Sequence, residues 1–181
     1  MPTLAELHKM GRRELTQVMR DGHAIQQNTL TDSVYRGTSL GLGGLIESLT
    51  WKTFAKTFHR DPESGVLRGW NVRCHEDPEL RYRTQGDGEP HTFGHYEVRP
   101  HTPGGLGTGL ILDYAAPGNF ILDPTRWLQD PVVAVHTGDS ALLLGCMLLC
   151  VGPIRMRLPG FFTLQLVGPL DHIVPVTPRL H

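Results

Sequence analysis

The residues best suited to chemistry sit inside otherwise apolar runs. "TWKTFAKTFH" (residues 50–59) and "VLRGWNVRC" (66–74) carry Lys52, Lys56, Trp70, Asn71 and Arg73. "HTFGHYEVR" (91–99) and "LILDY" (110–114) add His95, Tyr96, Glu97, Asp113 and Tyr114. Lys56 alternates with Phe54 and Phe58. On a strand these three share a face, so a solvent-facing Lys56 leaves two phenylalanines wet. Turned inward, Lys56 needs a partner, because a buried unpaired ammonium is costly. Glu97 and Asp113 are the expected partners. Paired with a carboxylate deep in a cavity, Lys56 points to acid–base catalysis; one polar group in an apolar cavity points to a binding protein.

Other constellations are weaker. The chain has ten histidines, and His91, His95 and His101 lie close together in sequence. On a strand, however, His91 and His95 stand ~13 Å apart, too far for one ion. No metal site is expected, and haem ligation by His95 or His172 is a third alternative. "HRD" at 59–61 lacks the downstream asparagine of a kinase loop, and Asp61-Pro62 reads as a turn. There is no dinucleotide fingerprint or phosphate loop. Cys74 has Arg73 and His75 beside it, but neighbours on a strand point to opposite faces, so neither is positioned to activate the thiol.

Bulk properties narrow the partners. A net charge of -1 over 181 residues gives no electrostatic footprint for nucleic acid. Three cysteines, Cys74, Cys146 and Cys150, do not make a disulfide scaffold, and the charged N-terminal stretch lacks a signal-like apolar core. A cytoplasmic location follows as the expectation. The run "ALLLGCMLLCV" (141–151) is eleven residues long, against the about 20 that a membrane helix needs. No membrane span is expected, and the sequence sets no oligomeric state.

These side chains must be positioned by short elements, since 21 glycines and 14 prolines favour many turns over long helices. Residues 3–22 read as a helix, with Thr3 and Glu6 at capping-box spacing and Gly11 dividing it into two pieces. Residues ~50–74 read as a β-hairpin around "DPESG". Residues 75–90 form a polar excursion, and Asp123-Pro124 can start a short helix. "VVAVH", "ALLLGCMLLCV" and "FFTLQLVG" are further strands, and residues 171–181 a loose tail. About seven strands at this spacing suggest a mainly β domain, an antiparallel barrel or strongly curved sheet over residues 33–170 with an N-terminal helix. "ALLLGCMLLCV" is apolar on both sides, so one face lines the interior and the other packs under that helix.

"SVYRGTSLGLGGLIESLTWKTFAKTF" (33–58) resembles the opening of GXWXG-type small β proteins of calycin-like architecture. Tyr35 stands at the tryptophan position, Gly37 at the second glycine, "GLIE" (44–47) at the turn, and Ala55 to Phe58 on the following strand. "LILDY", "LLGCM" and "FFTL" echo the later strands in order. The resemblance implies a barrel-like cup with an apolar interior.

A cup of this size holds one small ligand. The expected function is binding of a small hydrophobic molecule, lipid-, terpenoid- or polyketide-like, without a cofactor. Tyr35, Trp51, Phe54, Phe58, Trp70, Asn71, Leu112, Tyr114, Met147 and Phe162 are the candidate ligand-binding residues. Lys56, Tyr96 and Asp113 are expected to orient its polar group. The alternative is a metal-independent isomerase, cyclase or hydro-lyase in the same cavity, with Lys56, His95, Tyr96, Glu97 and Asp113 as its acid and base residues.

Overall fold

The computed structural model describes residues 1–40, 53–76, 79–100, 108–120 and 122–175. Eight strands form a closed antiparallel barrel: β1 (Ser33–Leu40), β2 (Thr53–Arg60), β3 (Leu67–Arg73), β4 (Thr92–Pro100), β5 (Leu110–Asp113), β6 (Leu128–His136), β7 (Asp139–Val151) and β8 (Ile154–Pro169). Each strand pairs with the next in sequence, and β1 closes the cylinder against β8. The mainly β class, a closed antiparallel barrel with an N-terminal helix, is thus the observed one and is consistent with a calycin-like barrel. Trp51 and the "GLIE" turn lie outside the described residues.

Two strands run through stretches whose glycines and prolines suggest breaks. Glycines in "RGTSLGLGG" read as a loop, yet residues 33–40 are strand β1. "GPIRMRLPG" reads as a breaker, whereas Gly152 and Pro153 make a tight turn between the paired Val151 and Ile154. From there β8 runs on through Pro159.

Glycines recur inside the barrel because aromatic rings lie across them. Gly37 faces Phe54, Gly69 faces Tyr96 and Gly145 faces Phe162, each as a cross-strand pair. A Cβ on any of the three would meet that ring at 2.6 Å or less. Large and small residues interdigitate here, which fills a narrow cylinder without splaying its strands.

One end of the barrel is plugged. Ile25 and Leu30, from the segment before β1, pack with Tyr35, Phe58, Leu67, Leu110, Val132, Leu143 and Leu164. His23 is bridged to Ala134 by two backbone hydrogen bonds, which fixes that plug to β6.

The N-terminal helix is in two pieces, as Gly11 suggests: α1 (Leu4–Leu7) and α2 (Arg12–Asp21). Thr3 and Glu6 close the capping box on α1, and Glu14 accepts from the Gly11 N–H at the start of α2. Leu7, Leu15 and Met19 pack on Val133, Val135, Leu142, Leu144, Cys146 and Phe161. Alternate residues Leu143 and Leu164 face the interior instead. "ALLLGCMLLCV" therefore serves two apolar environments, one on each face of β7.

The arrangement orders the thiols by reactivity. Cys74 and Cys146 are buried, Cys150 is partly exposed, and none is in a disulfide. Burial pushes the Cys146 thiol up to about 11, far from the thiolate form that reacts. Ellman's reagent at pH 8 is expected to modify Cys150 in the native protein, and Cys74 and Cys146 only at the rate of unfolding. Rapid native labelling of Cys146, read by peptide mass spectrometry, would contradict this packing.

Candidate functional site

The unplugged half of the barrel interior contains a cavity of about 170 Å³. Its apolar wall includes Phe54, Phe93, Leu128, Met147, Phe161 and Phe162, and its polar residues include Lys56, Asn71, Tyr114 and Asp130. Strand alternation explains the grouping. Phe54 and Lys56 are two apart on β2, and Asp130 precedes the inward Val132 and Ala134 by the same step. Tyr114 follows the inward Leu110 and Leu112.

Lys56 is 2 % exposed. Its Nζ donates to Asn71 Oδ1 at 2.9 Å, Tyr114 Oη at 2.5 Å and Asp130 Oδ2 at 3.2 Å. Three N–H groups thus meet three protein acceptors, which completes the ammonium's donor capacity. Tyr114 Oη in turn donates to Asp130 Oδ2 at 2.9 Å. Asn71 Nδ2 donates to the Gly94 carbonyl at 3.0 Å, which fixes which way its Oδ1 points. Four rings surround the ammonium, those of Phe54, Tyr96, Tyr114 and Phe162, with centroids 4.9 to 5.7 Å from Nζ. Their negative faces add to the stabilisation of the cation.

Burial pulls Lys56 below the usual lysine range, against the opposing pull of Asp130. Burial likewise raises Asp130, countered by Lys56 and Tyr114. Both shifts have one cause, removal of a charge from water, and both narrow the gap between acid and base. Tyr114 and Tyr96 are held well above the usual phenol range, again chiefly by burial.

One polar atom of the cluster stands apart. Asp130 Oδ1 is buried and accepts no hydrogen bond from the described residues. Its sister oxygen takes both bonds. No known protein family, curated protein or solved structure matches this chain significantly. The site must therefore be read from its own geometry.

The expected site residues divide by strand parity. Lys56, Tyr96, Asn71, Tyr114, Phe54, Phe58, Tyr35, Leu112, Met147 and Phe162 face the interior. Of these, Phe58, Tyr35, Leu112 and Tyr96 belong to the packed core rather than the cavity wall. Tyr35 Oη donates to the Ser140 carbonyl and Tyr96 Oη to the Thr57 carbonyl. Trp70 lies on the outer face with Val34, Ala55, Val72 and Leu80, beneath Tyr82, Leu170 and Val174. The Val174 carbonyl accepts from Arg68, and His172 pairs with Glu89 at 3.1 Å, so residues just past β8 lie against the barrel wall.

Glu97 and Asp113 are not the partners of Lys56. They are opposite one another in register on the outer face, and Arg99 bridges them at 3.0 and 3.1 Å. His95 lies on the same side, its ring 6.4 Å from that of Trp70, and lines a surface cleft with Asp61, Arg68 and Glu97. Asp130 is the residue that sequence reasoning missed. Its signal was the alternation Asp130, Val132, Ala134, obscured by Pro131, which makes "LQDP" read as irregular.

Proposed function

We propose that the protein binds a small hydrophobic molecule in the barrel cavity. The observation that carries this reading is the largely apolar wall around a polar cluster whose ammonium is already saturated by protein acceptors. Such a wall supplies affinity by displacing water, while the few polar atoms orient the ligand. The size favours the small end of the lipid-, terpenoid- and polyketide-like range. An apolar cavity of roughly 150 Å³ holds one benzene, so about 170 Å³ suits one substituted ring or a short branched chain. Membership of the GXWXG-type proteins belongs to the same reading. It is supported by the closed barrel and by Tyr35 and Lys56 of the matching stretch facing inward. No cofactor enters it, and three cysteines outside any disulfide support a cytoplasmic setting.

A second reading has in its favour the pairing that marks acid–base catalysis in the sequence, Lys56 against a carboxylate inside the cavity. Lys56, Tyr114 and Asp130 lie within hydrogen-bond reach of one another, with the lysine shifted down and the carboxyl up. That set fits an isomerase, cyclase or hydro-lyase, with Asp130 in the role expected of Glu97 or Asp113. Native mass spectrometry of protein purified from its own host separates the two. A molecule released unchanged at one per chain is the expected result. A bound molecule converted on incubation, with conversion lost in Lys56→Met, would replace the binding reading with the enzymatic one.

A further inference from the structure

The donors and acceptors of the Lys56 cluster are unequal in number, and the imbalance has a chemical meaning. Thr125, elsewhere on the cavity wall, keeps a buried hydroxyl, able to donate or accept, without a partner among the described residues. Every N–H of Lys56 is committed, to Asn71, Tyr114 and Asp130. The Tyr114 hydroxyl gives its hydrogen to Asp130 Oδ2. Asn71 Nδ2 is held by the Gly94 carbonyl, with Tyr114 Oη at 3.4 Å as a second neighbour. On the acceptor side, Asp130 Oδ1 receives nothing from the described residues, although Asp130 lines the cavity and is 3 % exposed. A buried carboxylate oxygen without a donor is costly, and a ligand that supplies one recovers that cost on binding.

The charge balance points the same way. The cluster holds one ammonium and one carboxylate in contact. A second anion would be buried without a cation of its own, and would have to draw Lys56 away from Asp130. An alcohol or phenol brings a hydrogen to the open acceptor and leaves the pair intact. The walls suit a ring, with Phe54 and Phe162 already set edge-on to each other at 6.2 Å.

Resting on the binding reading above, we infer that the molecule is a ring-sized alcohol or phenol whose hydroxyl donates to Asp130 Oδ1, and that carboxylates are rejected. The site discriminates by hydrogen-bond polarity: it takes a donor and refuses an anion. This departs from the usual expectation for a lysine in an apolar pocket, because this lysine has no donor to spare.

The test uses the intact protein labelled with ¹³C at its methionine methyl groups. Met147 lines the cavity, and Met147→Leu assigns its signal by loss of the resonance. Three probes are titrated: p-cresol, its isostere p-xylene, and p-toluate. The expected result is that p-cresol shifts the Met147 methyl at a concentration at least ~10-fold below p-xylene, the effect of one hydrogen bond to a charged acceptor, with p-toluate inert. If p-xylene binds as well as p-cresol, water satisfies Asp130 Oδ1; the inference fails and the apolar binding site stands. Preferential binding of p-toluate would show Lys56 exchanging Asp130 for the ligand, which also overturns it. If no probe shifts Met147, the binding reading falls and the inference with it.

Discussion

Asp130→Leu is expected to destabilise the protein by about 3–5 kcal/mol, because it leaves the Lys56 ammonium buried without its counter-ion. Lys56 is 2 % exposed and Asp130 3 %, so neither charge is solvated by bulk water in the folded barrel. Lys56→Met should cost about as much for the mirrored reason: the carboxylate loses its cation while Tyr114 remains its donor. For a chain of this length each kcal/mol moves Tm by about 2–4 °C, so either single variant should melt roughly 6–20 °C lower.

The double variant is the informative one. Lys56→Met with Asp130→Leu replaces two buried charges by apolar side chains among Phe54, Phe162, Leu128 and Met147. Desolvation is then absent from both sides, and the double variant should recover most of the loss made by either single change. Urea unfolding of all four proteins closes the cycle. Additive losses in the double variant would mean that the pair is not coupled, and the polar cluster described here would be wrong. A double variant that is stable yet binds nothing would instead show that the charges are retained for function.

Much of this cluster could be read in the sequence, and the part that could not has a definite cause. Phe54, Lys56 and Phe58 declare their common face by strict alternation, and that face is the interior. Parity also separates Tyr96 from His95 and Glu97, and Leu112 and Tyr114 from Asp113. Charge alone points Glu97 and Asp113 to Lys56, whereas the pleat turns them outward to Arg99. Asp130 is hidden because Pro131 breaks the local strand signal, although Pro131 is opposite Ile111 in an ordinary antiparallel ladder. Gly37 hides β1 in the same way. A glycine next to glycine-rich sequence reads as a turn until the ring of Phe54 is seen to occupy its missing side chain.

The second large effect follows from those glycines. Gly69→Ala is expected to cost about 3 kcal/mol or more, at the top of the range for an added methyl in a packed core. The new Cβ would stand 2.0 Å from the Thr57 carbonyl oxygen and 2.6 Å from the Tyr96 ring. Neither can yield independently, because Tyr96 Oη donates to that same carbonyl at 2.8 Å. The change therefore spreads the β2–β3 pair and strains a buried hydrogen bond together. Gly168→Ala is the control: a Cβ there meets nothing within 4 Å, and its effect should stay within about 0.5 kcal/mol. Equal Tm values for the two variants would refute the interdigitated interior.

Closure of the cylinder also bears on the order in which the chain acquires its parts. Seven of the eight strand pairings join sequence neighbours, whereas the seam brings Ser33 to Pro169. Loop-closure entropy makes that the costly pairing, so hairpins should zip first and the seam should shut late. Ser39 and Phe162 face each other across it, and both line the cavity. On that order the cavity should be completed only at the final stage of folding. A bound molecule should act as a latch on that stage, slowing the unfolding rate in stopped-flow experiments while leaving the folding rate nearly unchanged.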